Sequence, residues 1–247
     1  MKTVLITGCS SGFGLETARY FLDRGWQVIA TMRTPREDAL PRSEHLRVLP
    51  LDITDPASIR QTVEAAGAID VLVNNAGIGV LNALEGISMD TAREVFETNA
   101  LGTIAMTQAL LPQFRQRKAG VIVNVTSSVT LRSLPLLSVY TASKAAVNAF
   151  TESLALELAP FDVRVRLVLP GRAPETRFGE NARSRMQAGF PEPYAELVQR
   201  VFAGWEQSTA VTRAQDVAEA VWRAANDPSC PMRVPAGADA VALAEAH

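Results

Sequence analysis

The chain has 247 residues, 47% of them hydrophobic and 20% charged, with a formal net charge of −2. This balance is typical of a globular protein and argues against a disordered chain or a basic nucleic-acid-binding surface. Two cysteines are too few for a disulfide framework, and no apolar run is long enough for a signal peptide or a membrane span. We therefore expect a cytoplasmic protein without membrane contact.

Short apolar runs alternate along the chain with longer segments of helical period. Most of these runs are apolar throughout, as expected for strands that helices cover on both faces of a parallel sheet. The predicted strands are Thr3–Thr7, Gln27–Thr31, Leu46–Leu51, Val71–Asn74, Val121–Val125 and Val163–Leu169, with Arg233–Pro235 as a candidate seventh.

The predicted helices occupy the segments between these runs. Ser88 and Thr212 are candidate N-caps, and Pro160 and Pro228 lie where helices should end. Strand–helix alternation without a linker-like boundary predicts one α/β domain over residues 1–247. Its sheet is expected to be a Rossmann-type doubly wound parallel sheet of about seven strands. The helices are Gly14–Arg24, Pro56–Ala66, Asp90–Arg117, Ser138–Leu158 and Thr212–Asn226.

A proline-containing insertion follows the sixth strand, over residues 171–194. It combines four arginines with apolar Phe178, Met186 and Phe190. Irregular segments of this length in a compact domain are usually functional, so we predict a substrate loop or lid. A solvated basic helix is the alternative.

A glycine-rich turn follows the first strand and leads into the first helix. Glycines let the backbone approach a pyrophosphate, which the positive N-terminal end of the helix attracts. The G-x-x-x-G-x-G spacing differs from the standard G-x-G-x-x-G, and many such turns are structural, so the argument rests on its place in the first βαβ unit. The expected cofactor contacts are Gly8, Ser10, Ser11, Gly12, Phe13 and Gly14.

The ends of the second and third strands bear on the choice of cofactor. The second strand leads to Arg33 and lacks the carboxylate that binds the adenosine ribose of NAD. Arg33 can pair with a 2′-phosphate and Ser11 can add a hydroxyl, which favours NADP(H) over NAD(H); an ordinary surface arginine is the alternative. Asp52 and Ile53 are predicted to meet the adenine, although Asp52 is also a candidate N-cap.

The fourth strand ends in two amides followed by two small residues. Ligands bind at the carboxyl ends of strands in open α/β sheets. These residues are therefore predicted to hold the sheet edge and admit the nicotinamide-side ribose. They are Asn74, Asn75, Ala76 and Gly77.

Tyr140 and Lys144 lie four residues apart in a predicted helix, and therefore on one face. The ammonium group is expected to lower the pKa of the phenol toward the range useful for acid–base chemistry, and Lys144 can also reach ribose hydroxyls. Ser127, at the end of the fifth strand, is predicted to polarise a substrate carbonyl. Asn99 is predicted to orient a water molecule beside Lys144. Each residue alone has a structural explanation, so the combination carries the prediction.

In order and spacing, these motifs resemble those of the short-chain dehydrogenase/reductase family. The resemblance implies an Asn–Ser–Tyr–Lys tetrad in which Tyr140 is the proton donor or acceptor and a nicotinamide carries the hydride. The glycine turn and the Arg33 segment look most like those of NADP(H)-preferring members related to 17β-hydroxysteroid and retinol dehydrogenases. The matching positions are Thr7 to Gly14, Asp52, Asn74 to Gly77, Asn99, Ser127, Tyr140, Lys144, Pro170 and Gly171.

One departure from the family pattern follows Pro170 and Gly171, which are predicted cofactor contacts. The family places a threonine a few residues later, where it meets the nicotinamide carboxamide. Here Thr176 comes later than usual, after an inserted Arg172 and Pro174. An altered cofactor contact or a reshaped substrate loop is expected.

The predicted function is hydride transfer between NADP(H) and a carbonyl or secondary alcohol of a small, apolar substrate. A non-catalytic NADP(H)-sensing regulator on the same fold is the alternative. A sugar-nucleotide epimerase is disfavoured by the chain length and the glycine spacing. No metal site is expected because Cys, His and carboxylates do not cluster. The resemblance also implies a homodimer or homotetramer built on the long predicted helices.

Overall fold

A computed structural model describes residues 1–36, 38–185 and 189–246. They form a seven-stranded parallel sheet in the order β3-β2-β1-β4-β5-β6-β7. The predicted Rossmann-type fold is confirmed, and each predicted strand agrees with an observed one to within one residue at either end. The strands are β1 Thr3–Ile6, β2 Gln27–Met32, β3 Leu46–Pro50, β4 Val71–Asn74, β5 Gly120–Val125, β6 Val163–Pro170 and β7 Arg233–Ala236.

Helices flank the sheet and lead into the loops at its carboxyl edge. The sequence predicted α1, α2, α5 and α8, and it missed α7 and α9. The helices are α1 Gly12–Leu22, α2 Pro56–Ala66, α3 Met89–Phe96, α4 Gly102–Arg117, α5 Ser138–Leu158, α6 Phe178–Arg183, α7 Ala195–Gln207, α8 Ala214–Asn226 and α9 Ala238–Glu245. In the described part of the chain, no helix combines the length and hydropathy needed to cross a bilayer.

Two hydrophobic cores lie on opposite faces of the sheet. Along β1, Val4 and Ile6 enter one core with residues of α1 and α8, while Leu5 enters the other with residues of α2, α4 and α5. Successive strand residues point to opposite faces, so a strand covered on both sides is apolar throughout. This arrangement explains the continuous apolar runs of the sequence.

The predicted helix Asp90–Arg117 is interrupted by a π-helical turn at Glu97–Leu101, where the Gly102 N–H donates to the Glu97 carbonyl. The turn separates α3 from α4 and contains Asn99. Single π-helical turns inside helices occur frequently at functional sites.

One of the two predicted N-caps is correct. The Ser88 hydroxyl accepts a hydrogen bond from the Thr91 N–H at 3.0 Å and caps α3. Thr212 is not the N-cap of α8, which begins after Arg213. The Thr212 hydroxyl instead donates to Asp239 and accepts from the Gly171 N–H at 2.9 Å, so it fixes the start of the 171–194 segment.

Candidate active site

The site lies at the carboxyl edge of the sheet, where the strand order reverses. The chain builds β1, β2 and β3 outward in one direction and then returns to place β4 on the other side of β1. Doubly wound folds bind ligands at this switch point.

The glycine turn between β1 and α1 packs closely against the end of β4. Gly8 and Gly12 have φ of 75° and 58°, a region that favours glycine. A Cβ on Gly8 would lie 2.8 Å from the Ala76 Cα, and one on Gly14 would clash with the Gly8 carbonyl oxygen. The Ser11 side chain does not cap α1. Amide groups of the first helical turn therefore remain available for an anion.

Thr7 and Asn75 fix the glycine turn to β4. The Thr7 hydroxyl accepts from the Asn75 N–H at 3.0 Å and from the Ala76 N–H at 2.9 Å. The Asn75 side-chain amide donates to the Thr7 carbonyl at 2.9 Å and to the Gly8 carbonyl at 3.2 Å. Asn75 thus holds the shape of the turn through its side chain.

Asn74 lies beneath the site instead of lining it. Its amide donates to the Thr107 hydroxyl at 2.9 Å and to the Asn124 side-chain carbonyl at 2.8 Å, and only 4% of the residue is exposed. The Asn124 amide continues the chain to the Thr151 hydroxyl at 2.8 Å. These bonds tie β4 and β5 to α4 and α5 and engage the Asn74 side chain, and the predicted contact of Asn74 with a cofactor stays a prediction.

The structure brings Tyr140 and Ser127 together, as the sequence predicts. Tyr140 is 7% exposed, and its hydroxyl is hydrogen-bonded to the Ser127 side chain. Burial raises the pKa of Tyr140 to about 12, an effect that the Ser127 bond partly offsets. The Ser127 hydroxyl oxygen also accepts from the Val129 N–H at 3.3 Å, which fixes its position at the end of β5.

Lys144 lies one turn after Tyr140 and is buried. Its Nζ donates to the Val125 carbonyl at 3.1 Å, and burial lowers the pKa of Lys144 to about 8. Because burial is the largest cause, the net shift of the Tyr140 pKa is upward, and the predicted lowering by the Lys144 ammonium stays a prediction.

Asn99 is 1% exposed and packs between the segment after β4 and α5. Its amide donates to the Ile78 carbonyl at 2.9 Å and to the Ser143 hydroxyl at 3.0 Å, while its carbonyl accepts from the Ile78 N–H at 2.8 Å. The Asn99 side chain is thus fixed beside α5, and its predicted water-orienting role stays a prediction. A Cβ on Gly77 would lie 3.2 Å from both Asn99 Oδ1 and Lys144 Nζ, so Gly77 keeps this corner of the site open.

Asp52 and Arg33 lie at neighbouring strand ends. The hydroxyl of Thr54 at 2.7 Å and its N–H at 2.9 Å, with a smaller contribution from Arg33, hold the pKa of Asp52 below its usual value. Asp55, and not Asp52, caps α2. Ile53 is buried against Gly102, where a Cβ would lie 2.9 Å from its side chain.

Phe13 and the Pro170–Gly171 pair lie at the edges of the predicted cofactor surface. The Phe13 side chain packs against the core and is partly buried. Pro170 ends β6 and is buried. A Cβ on Gly171 would clash with the Asp239 carboxylate, which also accepts from the Arg172 N–H at 2.6 Å. The 171–194 segment is therefore anchored at its base to α9.

Helix α6 covers Tyr140. The ring centroids of Phe178 and Tyr140 are 5.5 Å apart, at an interplanar angle of 57°. A Cβ on Gly79 would lie 2.7 Å from the Phe178 ring, so the absence of a side chain at Gly79 admits this ring. The Thr176 side chain lies against the glycine turn, 3.6 Å from where a Cβ on Gly12 would be. Residues 186–188 of the predicted lid lie outside the described residues.

An apolar cluster forms the outer wall of this region. It includes Leu136, whose φ of 66° is unusual for a leucine and whose carbonyl accepts from the Asn82 backbone N–H at 3.0 Å. The Asn82 amide also donates to the Gly189 carbonyl at 2.9 Å, joining the wall to the lid segment. The apolar members are Leu81, Ala83, Leu136, Leu137, Phe190, Tyr194, Leu197, Val198, Val201, Phe202 and Trp205.

The candidate metal ligands and the Cys9 thiol lie as follows in the part of the chain that the structure describes. No group of three or more His, Cys, Asp or Glu side chains there could hold a metal ion. The Cys9 thiol donates to the Ile6 carbonyl, and burial raises the pKa of this thiol to about 12. Cys9 therefore fills space in the glycine turn.

A glycine turn at the switch point, beside a buried tyrosine, is an arrangement found in dinucleotide-dependent oxidoreductases. The model of the short chain dehydrogenase family matches residues 2–187. The chain belongs to this family, which confirms the resemblance found in the sequence.

Two relatives show how closely the chain matches other members. It is 39% identical over 199 residues to a 3-ketodihydrosphingosine reductase from Bacteroides thetaiotaomicron, covering 79% of this chain and 72% of the relative. It is 40% identical over 184 residues to retinol dehydrogenase 8 from Bos taurus, covering 69% of this chain and 58% of the relative. The second match spans little more than half the length of that relative.

Solved structures extend the similarity over the whole fold. A short-chain dehydrogenase from Streptomyces avermitilis has a TM-score of 0.85 and 34% identity, covering 100% of this chain and 93% of that one. A serine dehydrogenase complexed with NADP+ has a TM-score of 0.81 and 29% identity, covering 95% of this chain and 94% of that one. A 3-ketoacyl-(acyl-carrier-protein) reductase from Brucella melitensis complexed with NADH has a TM-score of 0.80 and 28% identity, covering 95% of this chain and 96% of that one. Nicotinamide dinucleotides of both kinds thus occur among its structural neighbours.

Proposed function

We propose that the protein transfers a hydride between NADP(H) and a carbonyl or secondary alcohol of a small, apolar substrate, with Tyr140 as general acid or base. The observation that carries this proposal is the buried Tyr140 hydroxyl, hydrogen-bonded to Ser127 and one helical turn from Lys144. A non-catalytic regulator has no physical need for this group of side chains in a closed, apolar site.

The residues present fit a dinucleotide. The turn keeps its shape only with glycine at Gly8 and Gly14, where a Cβ would meet atoms of Ala76 or of the turn itself, and the first turn of α1 offers amide groups to a phosphate. Strand β2 itself ends without a carboxylate, and Arg33 is exposed just beyond its end, which supports NADP(H) over NAD(H). When bound, the nicotinamide supplies or accepts the hydride.

The protein side chains handle the proton. In reduction, Tyr140 gives its proton to the substrate oxygen as negative charge develops there, and the Ser127 hydroxyl donates a hydrogen bond to the same oxygen. The Lys144 ammonium stabilises the phenolate that remains on Tyr140. In oxidation the phenolate takes the alcohol proton, so the same three groups serve both directions.

The first experiment measures NADPH and NADH oxidation by the purified protein against a panel of aldehydes, ketones and quinones. We expect turnover with NADPH, and at least about tenfold higher kcat/KM with NADPH than with NADH, because one charge-assisted contact to the 2′-phosphate contributes that much. A preference for NADH would contradict the cofactor assignment. Tight NADPH binding without turnover on any substrate would favour the regulatory alternative.

We also propose that the protein is a cytoplasmic homodimer or homotetramer. Leu101, in the π-helical turn before α4, is 51% exposed, and Leu156 on α5 is 80% exposed. Large apolar residues outside the core-facing side of these helices support contact with a second copy.

We propose that helix α6 acts as the lid and that Phe178 limits the size of the substrate. Phe178 is 39% exposed and lies over Tyr140, so Phe178→Ala removes the ring without opening a fully buried cavity. We expect kcat/KM to rise severalfold for bulky ketones and to fall for the smallest ones, which lose their contact with the ring. Parallel kinetics on two ketones of different size, with Phe161→Ala outside the site as the control, test this. Equal changes for both ketones would contradict it.

A further inference from the structure

We propose that Arg36 is a second arginine of the site for the 2′-phosphate of NADP(H), on the side of the glycine turn. This inference rests on the proposed cofactor preference. Its first observation is a hydrogen bond from Arg36 Nη2 to the Ser10 carbonyl at 2.6 Å, between residues 26 positions apart in the chain. The side chain thus reaches back from the connection after β2 to the glycine turn.

The topology places Arg33 and Arg36 on opposite sides of the end of β2. Strand β2 lies between β3 and β1. Arg33 acts electrostatically on Asp52, which follows β3, whereas Arg36 contacts Ser10, which follows β1. The two guanidinium groups therefore flank the strand end at which dinucleotide-binding folds recognise the adenosine ribose.

The glycine turn is itself held to this strand end. The Cys9 N–H donates to the Thr31 carbonyl at 2.8 Å, and Thr31 precedes Arg33 by two residues. Ser10 and Ser11 follow Cys9 directly, so this bond holds the part of the turn that Arg36 contacts near the end of β2. The mutual position of these groups is set by backbone hydrogen bonds, which reduces the ordering cost of binding.

The charge of Arg36 supports an anion as the ligand. The bond to Ser10 goes to a neutral carbonyl, so it orients the guanidinium without neutralising it. Arg36 is exposed, and a guanidinium has five N–H donors, of which this bond uses one. The remaining donors match the oxygens of a phosphate, which arginine binds in a bidentate manner.

A purely structural role makes a different prediction. If Arg36 only stabilises the glycine turn, its loss weakens the binding of NADPH and of NADH equally, because both cofactors use that turn. If Arg36 binds the 2′-phosphate, its loss weakens the binding only of ligands that carry this phosphate. Binding of nucleotide fragments separates the two roles without reference to turnover.

The experiment measures dissociation constants by calorimetry for NADPH, NADH, 2′,5′-ADP and 5′-AMP. It compares wild type with Arg36→Ala, Arg36→Lys and the control Arg42→Ala, which removes an exposed arginine from the same connection. Arg36→Ala is expected to raise the constants of NADPH and 2′,5′-ADP by about tenfold or more and those of NADH and 5′-AMP by less than about twofold. Arg36→Lys should restore part of the loss, and Arg42→Ala should leave all four within about twofold.

Two outcomes overturn the inference and are distinguishable. In the first, wild type prefers NADPH, and Arg36→Ala either keeps that preference or loses affinity for both cofactors equally. Only the proposed role of Arg36 is then wrong. If wild type binds NADH as tightly as NADPH, the proposed cofactor preference fails and the inference fails with it.

Discussion

Tyr140→Phe is expected to lower turnover by about 10²- to 10⁴-fold while leaving NADPH affinity within about twofold. The substitution removes one hydroxyl group, which is the only part of Tyr140 that exchanges a proton, and keeps the ring that packs against Phe178. General acid catalysis contributes a factor of this size. Steady-state kinetics with NADPH and a reactive ketone, together with a direct binding titration, measure both quantities.

The chain offers a matched control for this substitution. Tyr20→Phe makes the same chemical change on α1, where the Arg24 guanidinium lies 3.3 Å from the ring centroid and the active site is distant in the fold. It should leave turnover unchanged. Retention of more than about a tenth of wild-type turnover by Tyr140→Phe would remove Tyr140 as the essential acid.

The pH dependence of the wild type provides a second readout of the same assignment. With its pKa raised to about 12, Tyr140 stays protonated across the neutral range and is ready to act as an acid in reduction. With its pKa lowered to about 8, Lys144 carries its charge below about pH 8 and loses it above. Reduction should therefore decline above about pH 8, whereas oxidation, which needs the phenolate, should rise with pH as long as Lys144 remains charged.

The strands were predictable because a parallel sheet covered on both faces imposes a continuous apolar run on each strand. The π-helical turn at Glu97–Leu101 was not predictable, because one extra residue in a helix hardly changes its amphipathic pattern. Helix α7 had a usable signal in the helical spacing of Leu197, Val201 and Phe202, which the proline-rich insertion before it obscured.

Local motifs identified the reacting groups of the site, and long-range packing determined the rest. Tyr140 and Lys144 share one helix, so their spacing alone predicts that they are close. The contact between Asn82 and Gly189 joins residues 107 positions apart, and no local pattern indicates it. The pKa of Tyr140 likewise depends on burial, which includes the cover provided by Phe178 from a separate helix. A sequence motif identifies a titratable group more readily than its environment.

The second large effect is expected for Gly14→Ala, which should abolish measurable NADPH binding and lower the free energy of unfolding by about 2–4 kcal/mol. A Cβ at this position would clash with the Gly8 carbonyl oxygen and lie 2.5 Å from Asn75 Nδ2. Neither group can move freely, because Asn75 is bonded to the Thr7 and Gly8 carbonyls. The turn must open to admit the methyl group, and opening it destroys the surface that faces the phosphates.

Gly204→Ala is the control, because the same added methyl group meets none of the described atoms within 4 Å. Gly204 lies within α7, so alanine there should stabilise the protein by up to about 1 kcal/mol through its helix propensity and leave binding unchanged. Urea unfolding measures stability for both variants, and NADPH titration at a temperature where Gly14→Ala is folded separates lost binding from lost structure. Wild-type NADPH affinity in folded Gly14→Ala would show that the cofactor phosphates bind elsewhere, because the turn cannot keep its shape and accept a side chain at Gly14.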